Sequence, residues 1–143
     1  MRTIIGIATV AAVLLLAFAG PSAGGTQPRC FGETVTIPGN GGSNSLHGTP
    51  GRDVIDGLGG NDVIRAGGGR DLICGGTGND RIYAGPGGDG AVGEGGRDFL
   101  SGGRGPDQLL GEAGDDSYKG GPGEDGCFAE VGEPARGCEF FGD

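Results

Sequence analysis

Between residues 38 and 127 the large apolar side chains fall nine residues apart, at Leu46, Ile55, Ile64, Ile73, Ile82, Leu100, Leu109 and Tyr118, with Ala91 and Cys127 as weaker members of the series. The stretches between them are too rich in glycine and too poor in apolar residues to build a helix or a self-sufficient strand. The polar positions keep the same period. Glycine holds the fifth place of every nonapeptide from Gly42 to Gly123. Aspartate holds the seventh at Asp53, Asp62, Asp71, Asp80, Asp89, Asp98, Asp107, Asp116 and Asp125, and only the first repeat departs, with Asn44. No insertion or deletion interrupts the series. A fixed period of this kind is the signature of a solenoid and outweighs local propensity.

Residues 75–83, GGTGNDRIY, show what one repeat can do. Gly75, Gly76 and Gly78 open backbone regions closed to other residues, so the turn can aim several carbonyl oxygens inward. Asp80 adds a carboxylate at the end of the turn. Arg81, Ile82 and Tyr83 then form a short extended segment. Alternation along a strand sends Ile82 inward and Arg81 and Tyr83 outward. One apolar residue in nine makes no core alone, but stacked copies do.

Composition removes several alternatives. The chain has 143 residues, 38 of them glycine, and no tryptophan. Collagen would need glycine at every third place, where Val54, Val63, Leu72 and Arg81 stand instead. The formal charge of −9 argues against nucleic acid, whose binding needs a basic patch. The first nineteen residues differ in kind: Arg2 precedes an apolar run from Ile4 to Ala19 that ends in the small residues Ala17 and Ala19. A signal peptide over residues 1–19 is expected, cut before Gly20. At about 16 residues the run is shorter than a spanning helix. The expectation is a secreted chain with no membrane span after cleavage. That chain would hold nine basic and nineteen acidic residues, a net charge of −10.

Four cysteines remain, Cys30, Cys74, Cys127 and Cys138. An even count in a secreted chain suggests two disulfides, with three possible pairings. The short segment between Cys127 and Cys138 favours that bond, and Cys30–Cys74 follows by elimination. Zinc is disfavoured, because the spacings are wide and His47 is the sole histidine. No nucleophile–base pair is visible. His47 stands alone, and Ser101 and Ser117 lie inside repeats without partners. Residues 20–37 and 128–143 are too short for a catalytic domain, so no enzyme is expected. They suit the caps that solenoids need: a strand at 34–37 in the first segment, and Phe128, Phe140, Phe141 and a disulfide in the second.

The pattern GGxGxDxUx, with U apolar, resembles the hemolysin-type (RTX) calcium-binding nonapeptide repeat, and residues 75–83 match it at every specified place. The leading CFGETVTI and trailing GCE also resemble small secreted actinobacterial proteins that carry such repeats. The resemblance implies an all-β, right-handed parallel β-roll over residues 38–127, with two nonapeptides per turn. Stacking neighbours would then lie 18 residues apart. Asp53, Asp71, Asp89, Asp107 and Asp125 would form one column, and Asn44, Asp62, Asp80, Asp98 and Asp116 the other. The resemblance places Ca²⁺ between adjacent turns, held by turn carbonyls and by the aspartates of both turns, about seven ions in all. All-oxygen ligation is what Ca²⁺ prefers.

Charge agrees with that implication. Carboxylates stacked at the strand spacing of ~4.8 Å would repel by roughly 3 kcal/mol per pair at an effective dielectric near 20. A roll without cations is opposed by its own ladder, so metal binding energy becomes folding energy. Some positions depart from the motif. Ala66 and Ala84 replace its first glycine, and Leu58, Glu94 and Glu112 its second. Arg52, Arg70 and Arg97 stand where Asn61 and Asn79 are more typical of the family, and read as solvated side chains tempering an acidic ladder. The segment 83–91 combines Ala84 with the weak strand Gly90-Ala91, and is expected to be the loosest. The functional expectation is a secreted calcium-binding protein. A matrix or adhesion module using the roll as a spacer is the alternative.

Overall fold

A computed structural model describes residues 29–129 and 134–138. The expected signal peptide, residues 20–28, and Phe140 and Phe141 of the expected cap lie outside the described residues. The first elements, β1 (Arg29–Cys30) and β2 (Glu33–Thr34), form an antiparallel hairpin. All other strands belong to two six-stranded parallel sheets. The first sheet contains β3 (Ile37–Asn40), β5 (Val54–Leu58), β7 (Leu72–Thr77), β9 (Gly90–Gly95), β11 (Gln108–Ala113) and β13 (Gly126–Phe128). The second contains β4 (Ser45–His47), β6 (Val63–Arg65), β8 (Arg81–Pro86), β10 (Phe99–Arg104), β12 (Ser117–Lys119) and β14 (Ala135–Arg136). Consecutive strands alternate between the sheets. The chain is an all-β parallel solenoid of about five turns, as a β-roll requires, and the described residues contain no helix.

Register follows the sequence period. In the first sheet Ile37, Ile55, Ile73, Ala91, Leu109 and Cys127 pair in turn, each 18 residues from the last. In the second the series is Leu46, Ile64, Ile82, Leu100 and Tyr118. Their side chains meet between the sheets, where Ile55, Ile64, Ile73, Ile82, Leu100 and Leu109 are fully buried. The period ends at β14, where Tyr118 pairs with Ala135.

The departures from the motif have separate outcomes. Ala66 and Ala84 are fully buried members of the core, so the methyl group adds packing where glycine had none. No break occurs in the segment expected to be loosest: β8 and β9 run through it, and Phe31 and Leu72 close over Gly90. Leu58, Glu94 and Glu112 keep the backbone of the glycines they replace, with φ of 71°, 77° and 69°. That region costs an L-residue roughly 1–2 kcal/mol. Glycine also loosens the unfolded chain, which offsets part of the gain. Leu58→Gly and Glu94→Gly should each raise the thermal midpoint by a few degrees, equivalent to about 0.5–1 kcal/mol. A lowered midpoint for both in calcium-saturated melts would show that this backbone carries no strain.

The N-terminal segment does more than extend the roll. Thr36 bonds Val54 through its backbone and its hydroxyl, and β3 adds to β5. The strand expected at 34–37 therefore starts at Ile37. Ahead of it the hairpin doubles back over the outer side of the first sheet, against β5 and β7. A Cys30–Cys74 disulfide fastens it there, with the Cα atoms 5.7 Å apart, beside Val54 and Val92. At the other end Cys127 and Cys138 are bonded, with Cα atoms 5.6 Å apart. Both bonds are the expected pairings, Cys127–Cys138 from its short segment and Cys30–Cys74 by elimination.

Candidate metal centre

Past Asp53, each aspartate of the two columns closes one turn and reaches the turn before it. Its Oδ1 accepts the backbone N–H of the residue 18 earlier, as Asp62 does from Asn44 at 2.6 Å, Asp80 from Asp62 at 2.7 Å and Asp98 from Asp80 at 2.7 Å. The other column repeats this from Asp53 to Asp71 at 2.8 Å through Asp107 to Asp125 at 2.9 Å. All nine sequence-predicted aspartates are buried, and the structure brings them into two ladders, as the 18-residue stacking expects.

The second oxygen decides what the ladders can do. Oδ2 of Asp62, Asp71, Asp80, Asp89, Asp98, Asp107 and Asp125 is buried with no hydrogen-bond partner. It points back into the glycine turn: a Cβ on Gly75 would stand 2.6 Å from Asp80 Oδ2. An unsatisfied buried carboxylate oxygen is costly, and a row of them fits a cation. Among the described residues no three acidic, histidine or cysteine side chains converge on one point. A metal held here therefore takes most of its ligands from turn carbonyls, which suits the hard, oxygen-seeking Ca²⁺.

Two positions differ at the N-terminal end. Asp53 Oδ2 already accepts the backbone N–H of Thr49 at 2.6 Å and its hydroxyl at 3.0 Å. Asn44 Oδ1 accepts the N–H of Asn40 at 2.8 Å. Sequence reasoning gave Asp53 the same standing as the rest. The signal that separates it is Thr49, a residue with a donor where the best-preserved repeat has Gly76. A lesser ladder runs outside the column of Asp62, Asp80 and Asp98, where Asn61 Oδ1 accepts from Asn79 N–H and Asn79 Oδ1 from Arg97 N–H, each at 2.8 Å.

Burial raises the carboxyl pKa of Asp62, Asp71, Asp80 and Asp89 from the ordinary value. Asp98 and Asp107 are pushed up to about 6, first by burial and then by the charges of neighbouring aspartates, against the lowering effect of the bonded N–H. In a calcium-free roll, folded carboxyls bind protons more readily than unfolded ones, so the penalty is full above pH 6 and fades as pH falls toward 4. Calcium-stripped protein should gain strand signal between pH 7.5 and pH 5. With calcium the same protons compete with the ion and raise its midpoint. A chelated protein equally unfolded at both values would contradict buried, cation-seeking carboxylates.

A family model for the RTX calcium-binding nonapeptide repeat matches the chain in four copies, over residues 38–73, 74–90 and 92–126. The chain belongs to the RTX repeat family. The match spans more than half of the chain and both ladders, so the glycine turns just described are the RTX turns. No curated protein and no solved structure gave a match. RTX repeats bind Ca²⁺, and the RTX β-roll is a structural calcium-binding domain. The two disulfides fit an oxidising environment.

Proposed function

We propose that this RTX protein is a secreted calcium-binding protein that holds Ca²⁺ between its stacked glycine turns and needs it to fold. The row of buried, unpartnered Oδ2 atoms carries the reading. The ion supplies the positive charge that these carboxylates lack. Each interior aspartate fixes the turn before it through Oδ1 and offers Oδ2 to the ion. The turn carbonyls complete an all-oxygen set. The columns give four gaps between Asp53, Asp71, Asp89, Asp107 and Asp125 and three between Asp62, Asp80, Asp98 and Asp116, hence about seven ions. The Asp53–Asp71 gap is the poorest, because Thr49 already occupies Asp53. A leader of signal-peptide pattern and the two disulfides support secretion.

Equilibrium dialysis against radioactive calcium tests the reading. Wild type should bind several ions per chain. Asp80→Ala, interior to its column, should lose two, while Asp125→Ala, at the end of its column, should lose one. Equal losses from the two variants would sink the shared-ligand column. No bound calcium at millimolar concentration would sink the function.

A further inference from the structure

The two sheets differ in charge. The strands of the second sheet contain Arg65, Arg81, Arg104, Lys119 and Arg136 and no acid. The strands of the first contain Asp56, Glu94 and Glu112 and no lysine or arginine. Five of the ten basic residues of a chain of net charge −9 thus collect on one sheet. Alternation sends Ile64, Ile82 and Leu100 to the core, and it leaves Arg65, Arg81, Tyr83 and Lys119 exposed on the outer side. Half-buried Phe99 packs against Tyr83, with ring centroids 5.7 Å apart and planes tilted by 58°. The Arg65 guanidinium lies 5.3 Å from the Tyr83 ring centroid. A shallow cleft of about 390 Å³ continues this surface between Phe99, Lys119 and Arg136. The two ion pairs of the described residues, Arg52–Glu33 and Arg97–Asp115, use none of these cations.

We infer that the outer face of the second sheet binds an acidic polysaccharide. Cations set on a flat, regular sheet fit an extended partner with regularly spaced negative charge. Aromatic rings among them fit a partner with flat, C–H-lined faces between its charges. A polymer of uronic acids has both: carboxylates for the guanidinium groups and pyranose faces for Tyr83 and Phe99. Neighbouring strands stand ~4.8 Å apart, a distance on the scale of one sugar unit. A single-stranded nucleic acid also offers charge and stacking surfaces. It carries a denser charge past the acidic turns that flank this sheet, and the disulfides fit an oxidising environment outside the cell, so the polysaccharide is favoured.

Calorimetry with a hyaluronate decasaccharide, at low salt and saturating calcium, tests the inference. Wild type should bind, more weakly as salt rises. The double variant Arg65→Glu/Arg81→Glu should weaken binding by about tenfold or more. Tyr83→Ser should weaken it by several-fold. Arg52→Glu/Arg70→Glu makes the same charge change away from this face and should shift affinity by less than about twofold. Calcium-dependent circular dichroism confirms that each variant folds. Absent binding by wild type, or equal losses from the two double variants, overturns the inference. Tighter binding of oligothymidylate than of hyaluronate would assign the face to nucleic acid. A concentration-dependent dimer abolished by Arg65→Glu/Arg81→Glu would assign it to a second copy of the chain. Either result overturns the polysaccharide.

Discussion

Stripping calcium with a chelator at neutral pH should abolish most of the strand signal in circular dichroism, and millimolar Ca²⁺ should restore it. The expectation follows from what is left when the cation goes. The core holds about one large side chain per nonapeptide, and Ala91 interrupts even that series. Burying one such side chain is worth roughly 1.5–3 kcal/mol, whereas ordering nine residues of backbone costs about 9–18 kcal/mol. The ladder adds to the deficit, because Asp62, Asp71, Asp80, Asp89, Asp98, Asp107 and Asp125 each bury a carboxylate oxygen without a partner. Magnesium should rescue poorly, since it demands a tighter octahedral shell than carbonyl-rich turns offer. Strand content unchanged by the chelator would mean that the roll is a permanent scaffold and that calcium is incidental.

Gly78→Ala should be strongly destabilising, although it adds only one methyl. Gly78 has φ of 127°, and a Cβ there would run into the carbonyl of Gly60, its counterpart one turn earlier. The same clash recurs at Gly87, Gly96, Gly105, Gly114 and Gly123. Each Cα at this place sits over the preceding turn's carbonyl, so the stacking itself excludes a side chain. Left-handed strain and overpacking together should cost about 3 kcal/mol. In calcium-saturated thermal melts that corresponds to a drop of roughly 10 °C. Gly95→Ala supplies the contrast. Nothing lies within 4 Å of its added methyl, and Ala113 already occupies the equivalent place one turn later. It should change stability by less than about 0.5 kcal/mol. Similar losses from the two substitutions would show that turn stacking does not dictate the glycines.

The period explains why so much of this architecture was legible. Nine residues without insertion fix the spacing of the apolar positions, and two nonapeptides per turn, as the RTX resemblance implies, set Ile55, Ile73 and Leu109 on neighbouring strands of one sheet. The aspartate columns follow from the same two-per-turn stacking, and the disulfide pairings from the short segment between Cys127 and Cys138 and by elimination. What stayed hidden lay outside the period. The hairpin at 29–34 reads as a cap, and nothing in CFGETVTI says that it doubles back over β5 and β7. Thr49 looks like an ordinary motif departure until its side chain is seen on Asp53. Ala84 reads as a lost glycine, yet its methyl is packed. The charge difference between the sheets is invisible along the chain, where acids and bases are intermingled. It appears only when alternate nonapeptides are sorted into separate sheets.

The Cys30–Cys74 bridge gives the roll a direction of assembly. It joins residues 44 apart and holds β1 beside β7 whether or not the turns carry cations. Closing a loop of that size removes about 4 kcal/mol of chain entropy from the unfolded state. The opening turns therefore carry a covalent link that spans them, whereas the Cys127–Cys138 bond closes only a short segment at the last strand. A solenoid grows by nearest-neighbour addition, each unit templated by the one before it. When calcium returns, the first turns should close first, and propagation should run from β3 toward β13. The hairpin is thus the fixed end of a one-way zipper, and the molecule need never search for where to begin.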